Sequence, residues 1–182
     1  MLAIWDFIFI HAKNTFRLGM IFMLLAVLPF VLSCGPGEGP PQKSKPLVEI
    51  APDFTLETLE GEKVSMKDLK GSPVFLNFWA SWCRPCREEM PDVEKIHQAY
   101  GKKGLKVYAI NAREDKETIE NFKKSMGMGA PILLDTTGDV MKLYKIFGLP
   151  VSYFIDKEGK VAASIMGKMA YEDMDIQVNG VL

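Results

Sequence analysis

Val74-Phe75-Leu76-Asn77-Phe78-Trp79-Ala80-Ser81-Trp82-Cys83-Arg84-Pro85-Cys86 decides the fold of this chain. Its first half is an apolar run of strand length, which reads as a buried strand. Its second half places two cysteines three residues apart, where a helix can open. Residues i and i+3 of a helix share one face, with Cβ atoms about 5–6 Å apart. A disulfide wants about 3.5–4.5 Å, so a first helical turn can close that bond with little adjustment. The same turn presents unpaired N–H groups and a partial positive charge. Both favour a thiolate on Cys83 and make it a nucleophile at neutral pH.

Working outward, the remaining segments alternate in type. Phe54–Leu59 and Lys63–Met66, joined by Glu60-Gly61-Glu62, predict a hairpin, and Ser65 can cap a short helical turn before Gly71. After the Cys-x-x-Cys, apolar residues at Met90, Val93, Ile96 and Tyr100 recur at helical spacing, with Pro91 expected to kink that helix. Gly101 and Gly104 end it, and residues 105–110 read as the next strand. Asp115 caps a helix over Ile119, Phe122 and Met126, residues 131–134 form a short strand, and Val140, Leu143, Tyr144 and Phe147 mark one more helix. Gly148-Leu149-Pro150 turns the chain into a closing hairpin, residues 152–155 and Val161–Met166 around Asp156–Lys160. Tyr171, Met174 and Val178 are weakly spaced for a final helix. Strand–helix–strand units followed by a hairpin predict an α/β domain with a central mixed sheet flanked by helices.

The first 46 residues read differently. Lys13 and Arg17 precede an apolar stretch over 18–32 that ends in Val31-Leu32-Ser33-Cys34. That stretch is shorter than the ~20 residues of a spanning helix. Charge, apolar segment and a small residue at the cut follow the order of an export signal, so 1–33 is expected to be a signal peptide. The cysteine at the cut resembles the lipobox of bacterial lipoproteins, which implies lipid on Cys34. The alternative is an uncleaved anchor; either way the domain is tethered outside the cytoplasm. Residues 34–46 carry Pro, Gly and charge and read as a tether, leaving 47–182 as the folded domain. With Cys34 so assigned, Cys83 and Cys86 are the only remaining cysteines. A loop that short closes little chain entropy, so the pair is expected to serve chemistry rather than stability.

Composition excludes some classes of function. A net charge of −1 with no basic stripe speaks against nucleic acid as a partner. His11 and His97 are too few and too far apart for a metal centre, and no cofactor is expected.

Ala51-Pro-Asp-Phe54, Phe78 through Cys86, Pro91, Leu149-Pro150 and Phe154-Ile-Asp156 together resemble the thioredoxin superfamily. Within it they are similar to the membrane-anchored thiol–disulfide oxidoreductases of bacterial envelopes, the ResA/TlpA type, over Leu47 to Lys168. The resemblance implies a thioredoxin-like fold with an N-terminal β-hairpin extension. It also implies that Cys83 attacks a substrate disulfide and Cys86 resolves the mixed disulfide. Pro150 matches the family's cis-proline, beside which a substrate strand pairs. Trp82, Arg84, Pro85 and Leu149 join it as substrate-binding residues, with Trp79 in the core. Arg84 is expected to favour the thiolate and make the disulfide more oxidising.

Asn77 stands where cytosolic thioredoxins hold a titrating buried aspartate, and asparagine does not titrate. Envelope-type relatives instead carry a glutamate three residues after the second cysteine, here Glu89. It is expected to raise the Cys86 pKa and act as acid–base, whereas the bland reading makes Glu88, Glu89, Asp92 and Glu94 one solvated face.

The implied partners are protein disulfides, apocytochrome c among them, and a membrane thiol donor. Two other readings exist. A peroxiredoxin shares Ala-Pro-Asp-Phe but needs a Pro-x-x-x-Thr/Ser-x-x-Cys setting that Cys83 lacks. A Cu(I) metallochaperone on the same fold would use both thiolates, but related carriers space their cysteines by three residues and add a late histidine.

Overall fold

The computed structural model describes residues 49–182 and the strand Gln42–Ser44. The expected signal peptide, Cys34 and most of the tether lie outside the described residues. Among the described residues, eight strands and four α-helices follow in the order β1 (Gln42–Ser44), β2 (Thr55–Glu57), β3 (Lys63–Ser65), β4 (Val74–Trp79), α1 (Arg84–Tyr100), β5 (Lys106–Ala112), α2 (Lys116–Met126), β6 (Ile132–Asp135), α3 (Asp139–Leu143), β7 (Val151–Ile155), β8 (Val161–Met166) and α4 (Tyr171–Asn179). The main sheet runs β1-β8-β7-β4-β5-β6 and is mixed. Strands β4, β5 and β6 are parallel, and β7, β8 and β1 each pair antiparallel with their neighbour. This is the expected α/β architecture, with β2 and β3 as the separate hairpin.

All six residues of β4 are buried, as its unbroken apolar run demands of a central strand. Its side chains alternate between two faces. Leu76 and Phe78 enter a core with Phe54, Ile110, Leu133, Tyr144 and Ile155. Phe75 points the other way, into a core with Val93 and Ile96 of α1 and Met174 and Val178 of α4, and it stacks on Phe154 at 4.7 Å between ring centroids. Asn77 and Trp79 share the Phe75 face by the same alternation.

Helix α1 is continuous through Pro91, and its buried residues include Met90, Val93, Ile96 and Tyr100 at the expected spacing. Asp115 caps α2 by accepting the Thr118 N–H at 2.8 Å. Ser65 caps a 3₁₀ turn over Met66–Leu69. The weak spacing at Tyr171, Met174 and Val178 does form a helix, with Met174 and Val178 fully buried.

Three local expectations are corrected. The first hairpin strand stops at Glu57 rather than Leu59, because Thr58 bridges to Leu133 and the Leu59 N–H bonds to the Ile132 carbonyl. The hairpin's end thereby joins the edge of β6. Residues 42–44, polar enough to read as tether, pair along β8 as β1. An edge strand needs only its backbone groups to join a sheet. The helix expected to reach Phe147 ends at Leu143, since Lys145 takes a left-handed backbone at φ 55°. Ile146 then turns into the core and Phe147 is 92% exposed. Among the described residues no helix is long and apolar enough to cross a membrane.

Candidate active site

Strand β4 delivers the chain to Ala80, and the three residues that follow, Ser81, Trp82 and Cys83, bend it into α1. The bend is held at several points. The Cys83 N–H donates to the Ala80 carbonyl at 3.2 Å, and the Arg87 guanidinium donates to the Ser81 carbonyl at 2.9 Å. Glu114, just beyond the end of β5, accepts the Ser81 N–H at 2.6 Å, the Ser81 hydroxyl, and the Asn111 amide at 2.7 Å.

Cys83 is the N-cap of α1, and its Sγ accepts the Cys86 N–H at 3.3 Å. Pro85 occupies the first turn, where its missing N–H leaves no partner wanting. Cys83 and Cys86 are joined as a disulfide, with Cα atoms 5.3 Å apart. Cys86 is fully buried and Cys83 retains a sliver of exposure at 6%. Both lie in an apolar cluster with Trp79, Ala80, Met90, Ala109 and Ile132, against which half-buried Leu149 packs. Trp79 is buried and meets Phe122, whereas Trp82 is 68% exposed.

The Leu149–Pro150 peptide is cis. The Pro150 carbonyl accepts the Gly167 N–H at 2.9 Å, which fixes the loop before β7 to the end of β8. The fold thus gathers Cys83, Cys86, Leu149 and Pro150 at one end of the sheet. Arg84 lies outward, its guanidinium 2.9 Å from Glu88, and Glu88 also meets Lys168 at 3.0 Å. These two cations hold the Glu88 carboxyl below its usual range, Lys168 first.

Glu89 is 1% exposed and does not belong to a solvated face. Its Oε1 accepts the Asn77 amide at 2.7 Å and its Oε2 accepts the Met169 N–H at 2.9 Å. Asn77 Nδ2 also reaches Ser152 Oγ at 3.2 Å. Burial disfavours the charged form and pushes the Glu89 carboxyl up to about 7, against the two donors and Lys168, which pull it down. Cys86 and Glu89 stand three residues apart on α1, and so on one face of it.

Glu114 and Asn111 escaped the sequence reading. Their signal was positional: both sit at the carboxyl end of a parallel strand, where α/β sheets concentrate functional groups.

The AhpC/TSA family model matches residues 48–164. The chain belongs to the AhpC/TSA family. Within it, the thiol-disulfide oxidoreductase ResA of Bacillus thuringiensis subsp. konkukian is 40% identical over 125 residues, 69% of this chain and 72% of that one. Among solved structures, a thiol:disulfide interchange protein of the thioredoxin family from Chlorobium tepidum is 29% identical with a TM-score of 0.67, covering 77% of this chain and 99% of its own. The exposed lipoprotein thioredoxin Etrx1 of Streptococcus pneumoniae is 28% identical with a TM-score of 0.64, covering 71% and 99%. This member of the AhpC/TSA family is therefore a thiol-disulfide oxidoreductase with a thioredoxin-like fold. The names of its relatives decide for the enzyme over the copper carrier.

Proposed function

We propose that this oxidoreductase works outside the cytoplasm as a reductant of protein disulfides, with Cys83 and Cys86 as its redox pair. The reducing direction rests on the similarity to ResA. The observation that carries the dithiol-exchange reading is the N-cap placement of Cys83. There its sulfur accepts a backbone N–H and faces the positive end of α1, an environment that stabilises a thiolate.

In the reduced enzyme the Cys83 thiolate attacks one sulfur of a substrate disulfide. A Cys83–substrate bond forms, the substrate S–S bond breaks, and the departing substrate thiolate takes a proton from water. Cys86 then gives up its proton and attacks the Cys83 sulfur. The mixed disulfide breaks, the second substrate sulfur leaves as a thiolate that takes a proton from water, and the Cys83–Cys86 disulfide remains. Two electrons have passed from enzyme to substrate, and a thiol pair of a membrane donor returns them by the reverse exchange. Glu89, poised near neutrality and three residues from Cys86, receives and returns the proton of that thiol. Leu149, Pro150, Trp82, Arg84 and Pro85 form the surface that meets the substrate backbone and the residues beside its cysteines. Apocytochrome c is the favoured substrate, on the ResA-like resemblance.

Residues 1–33 are read as an export signal, Cys34 as the lipid-bearing residue and the stretch from 34 as the tether. The order of charge, apolar run and cysteine supports this, as does similarity to a protein named an exposed lipoprotein thioredoxin. The deciding experiment is the reduction potential of the Cys83–Cys86 pair, by equilibration against glutathione or dithiothreitol. Thioredoxin-like reductants lie near −270 mV and strong oxidants near −120 mV. A value of roughly −250 mV or lower is expected, and one of about −130 mV would overturn the direction proposed.

A further inference from the structure

Phe147 was expected to continue the helix begun at Val140, but it lies beyond that helix and is 92% exposed. The displacement is built into the backbone. Lys145, a residue with a Cβ, adopts φ 55°, which ends α3 and sends Ile146 inward and Phe147 outward. Such a conformation is strained for a residue with a Cβ and clusters at ligand clamps and active sites. Single exposed apolar residues are ordinary on a protein surface; the position of this one is not. Phe147 lies two residues before Leu149, so their Cα atoms are at most about 7 Å apart. Leu149 packs against the cluster that holds Cys83 and Cys86. In the bend that leads into α1, Trp82 directly precedes Cys83 and is 68% exposed. Two large exposed aromatic side chains thus sit on the two segments that lead to this cluster, Trp82 next to Cys83 and Phe147 two residues before Leu149.

We infer that Phe147, with Trp82, selects substrates: the pair grips a bulky apolar side chain next to the cysteine under attack. This rests on the reductant reading above and deepens it by naming the substrate class. The occupant is an extended polypeptide, because its disulfide must reach Cys83 and its neighbouring residues then lie over both segments. Bulky apolar residues beside a reachable cysteine occur in chains that have not folded, since folding buries them. Burying one such contact is worth about tenfold in binding.

The test uses the full chain, solubilised in a non-ionic detergent, and two disulfide-bonded peptides identical except for Phe or Asn beside the cysteine. Holding charge constant keeps Arg84 and Lys145 from biasing the comparison. Reduction of the Phe peptide is expected to exceed that of the Asn peptide about tenfold in kcat/KM, through KM, as uniform binding requires. Phe147→Ala is expected to bring the ratio near one. Ile176→Ala, which removes an exposed apolar residue on α4, is expected to leave the ratio where it was. Equal rates on both peptides with the native protein, or a ratio that Phe147→Ala does not move, would overturn the inference. So would a dimer in sedimentation that Phe147→Ala abolishes, which would assign the side chain to self-association. Failure to reduce either peptide or glutathione disulfide would instead sink the reductant reading underneath, and this inference with it.

Discussion

Asn77 donates its amide Nδ2 to Glu89 Oε1 at 2.7 Å, and neither side chain reaches solvent. The contact follows from two periodicities. Alternation along β4 turns Asn77 toward α1, and the helical repeat of α1 returns Glu89 toward the sheet one turn after Cys86. A titrating group therefore sits on the helix, and its non-titrating partner on the strand. Asn77 Oδ1 finds no partner, so the amide is committed as a donor, toward Glu89 and Ser152.

Stability should fall as pH rises through neutrality. The Glu89 carboxyl titrates near 4.5 when unfolded and is pushed up to about 7 by burial in the fold. Between those values the folded state holds the proton that the unfolded state has lost. The stabilising contribution is thus complete below pH 4.5 and is lost as pH rises through 7. The whole effect is about 3 kcal/mol. Asp53, Glu60, Glu88, Asp115 and Asp139 are shifted downward and act on the acid side of that window. Urea melts from pH 4.5 to 8 should show the decline in the native protein and a much flatter profile in Glu89→Gln. The glutamine keeps its oxygen for one donor, while an inverted Asn77 amide can accept from its nitrogen. Equal slopes in the two proteins would remove Glu89 as the cause.

The exchange chemistry should carry the same signature. With Glu89 moving the Cys86 proton, the rate of mixed-disulfide resolution has an inflection near pH 7. In Glu89→Gln that inflection is expected to disappear and the rate to fall by about 10²-fold, in the range of a lost general base. Stopped-flow resolution of a preformed Cys83 adduct reads the step directly. An unchanged profile would leave Glu89 a structural residue only.

Much of this was legible in the sequence because it is periodic or local. The unbroken apolar run of β4, the helical spacing of α1 and the three-residue step from Cys86 to Glu89 require no knowledge of distant contacts. Phe147 was misread for an instructive reason. Val140, Leu143, Tyr144 and Phe147 do repeat at helical spacing, but the left-handed turn at Lys145 interrupts the helix and leaves no mark on that pattern. Glu114 was missed because its partner Ser81 stands 33 positions away, across the β4–β5 pair.

Removing the Phe75–Phe154 stack tests the core beneath the site. Both rings are fully buried, nearly parallel at 6° and 4.7 Å apart. Phe154→Ala should cost about 3–5 kcal/mol through lost burial and the cavity left behind. Its contact with Phe75 joins β7 to β4, the strand that leads into Cys83, so the variant should also lose cooperativity of melting in the near-ultraviolet circular dichroism. A loss below about 1 kcal/mol would mean that the surrounding Ile165 and Val178 collapse into the space.

Glu114 provides the last and most local test. Its carboxylate takes the Ser81 N–H, the Ser81 hydroxyl and the Asn111 amide, and so clamps the bend between β4 and α1 from the end of β5. Glutamine can reproduce that pattern, with its oxygen accepting the Ser81 and Asn111 N–H groups and its nitrogen donating to the Ser81 hydroxyl. Alanine can reproduce none of it and leaves a buried asparagine amide unsatisfied. Glu114→Ala should therefore lose about 1–3 kcal/mol of stability and slow the attack of Cys83 on a small disulfide, while Glu114→Gln stays close to the native protein on both counts. Trp82, one residue beyond the clamp, offers an independent readout, since its fluorescence anisotropy should drop in the alanine variant as the bend loosens. Equal losses in Ala and Gln would show that the negative charge, rather than the set of hydrogen bonds, is what the bend requires.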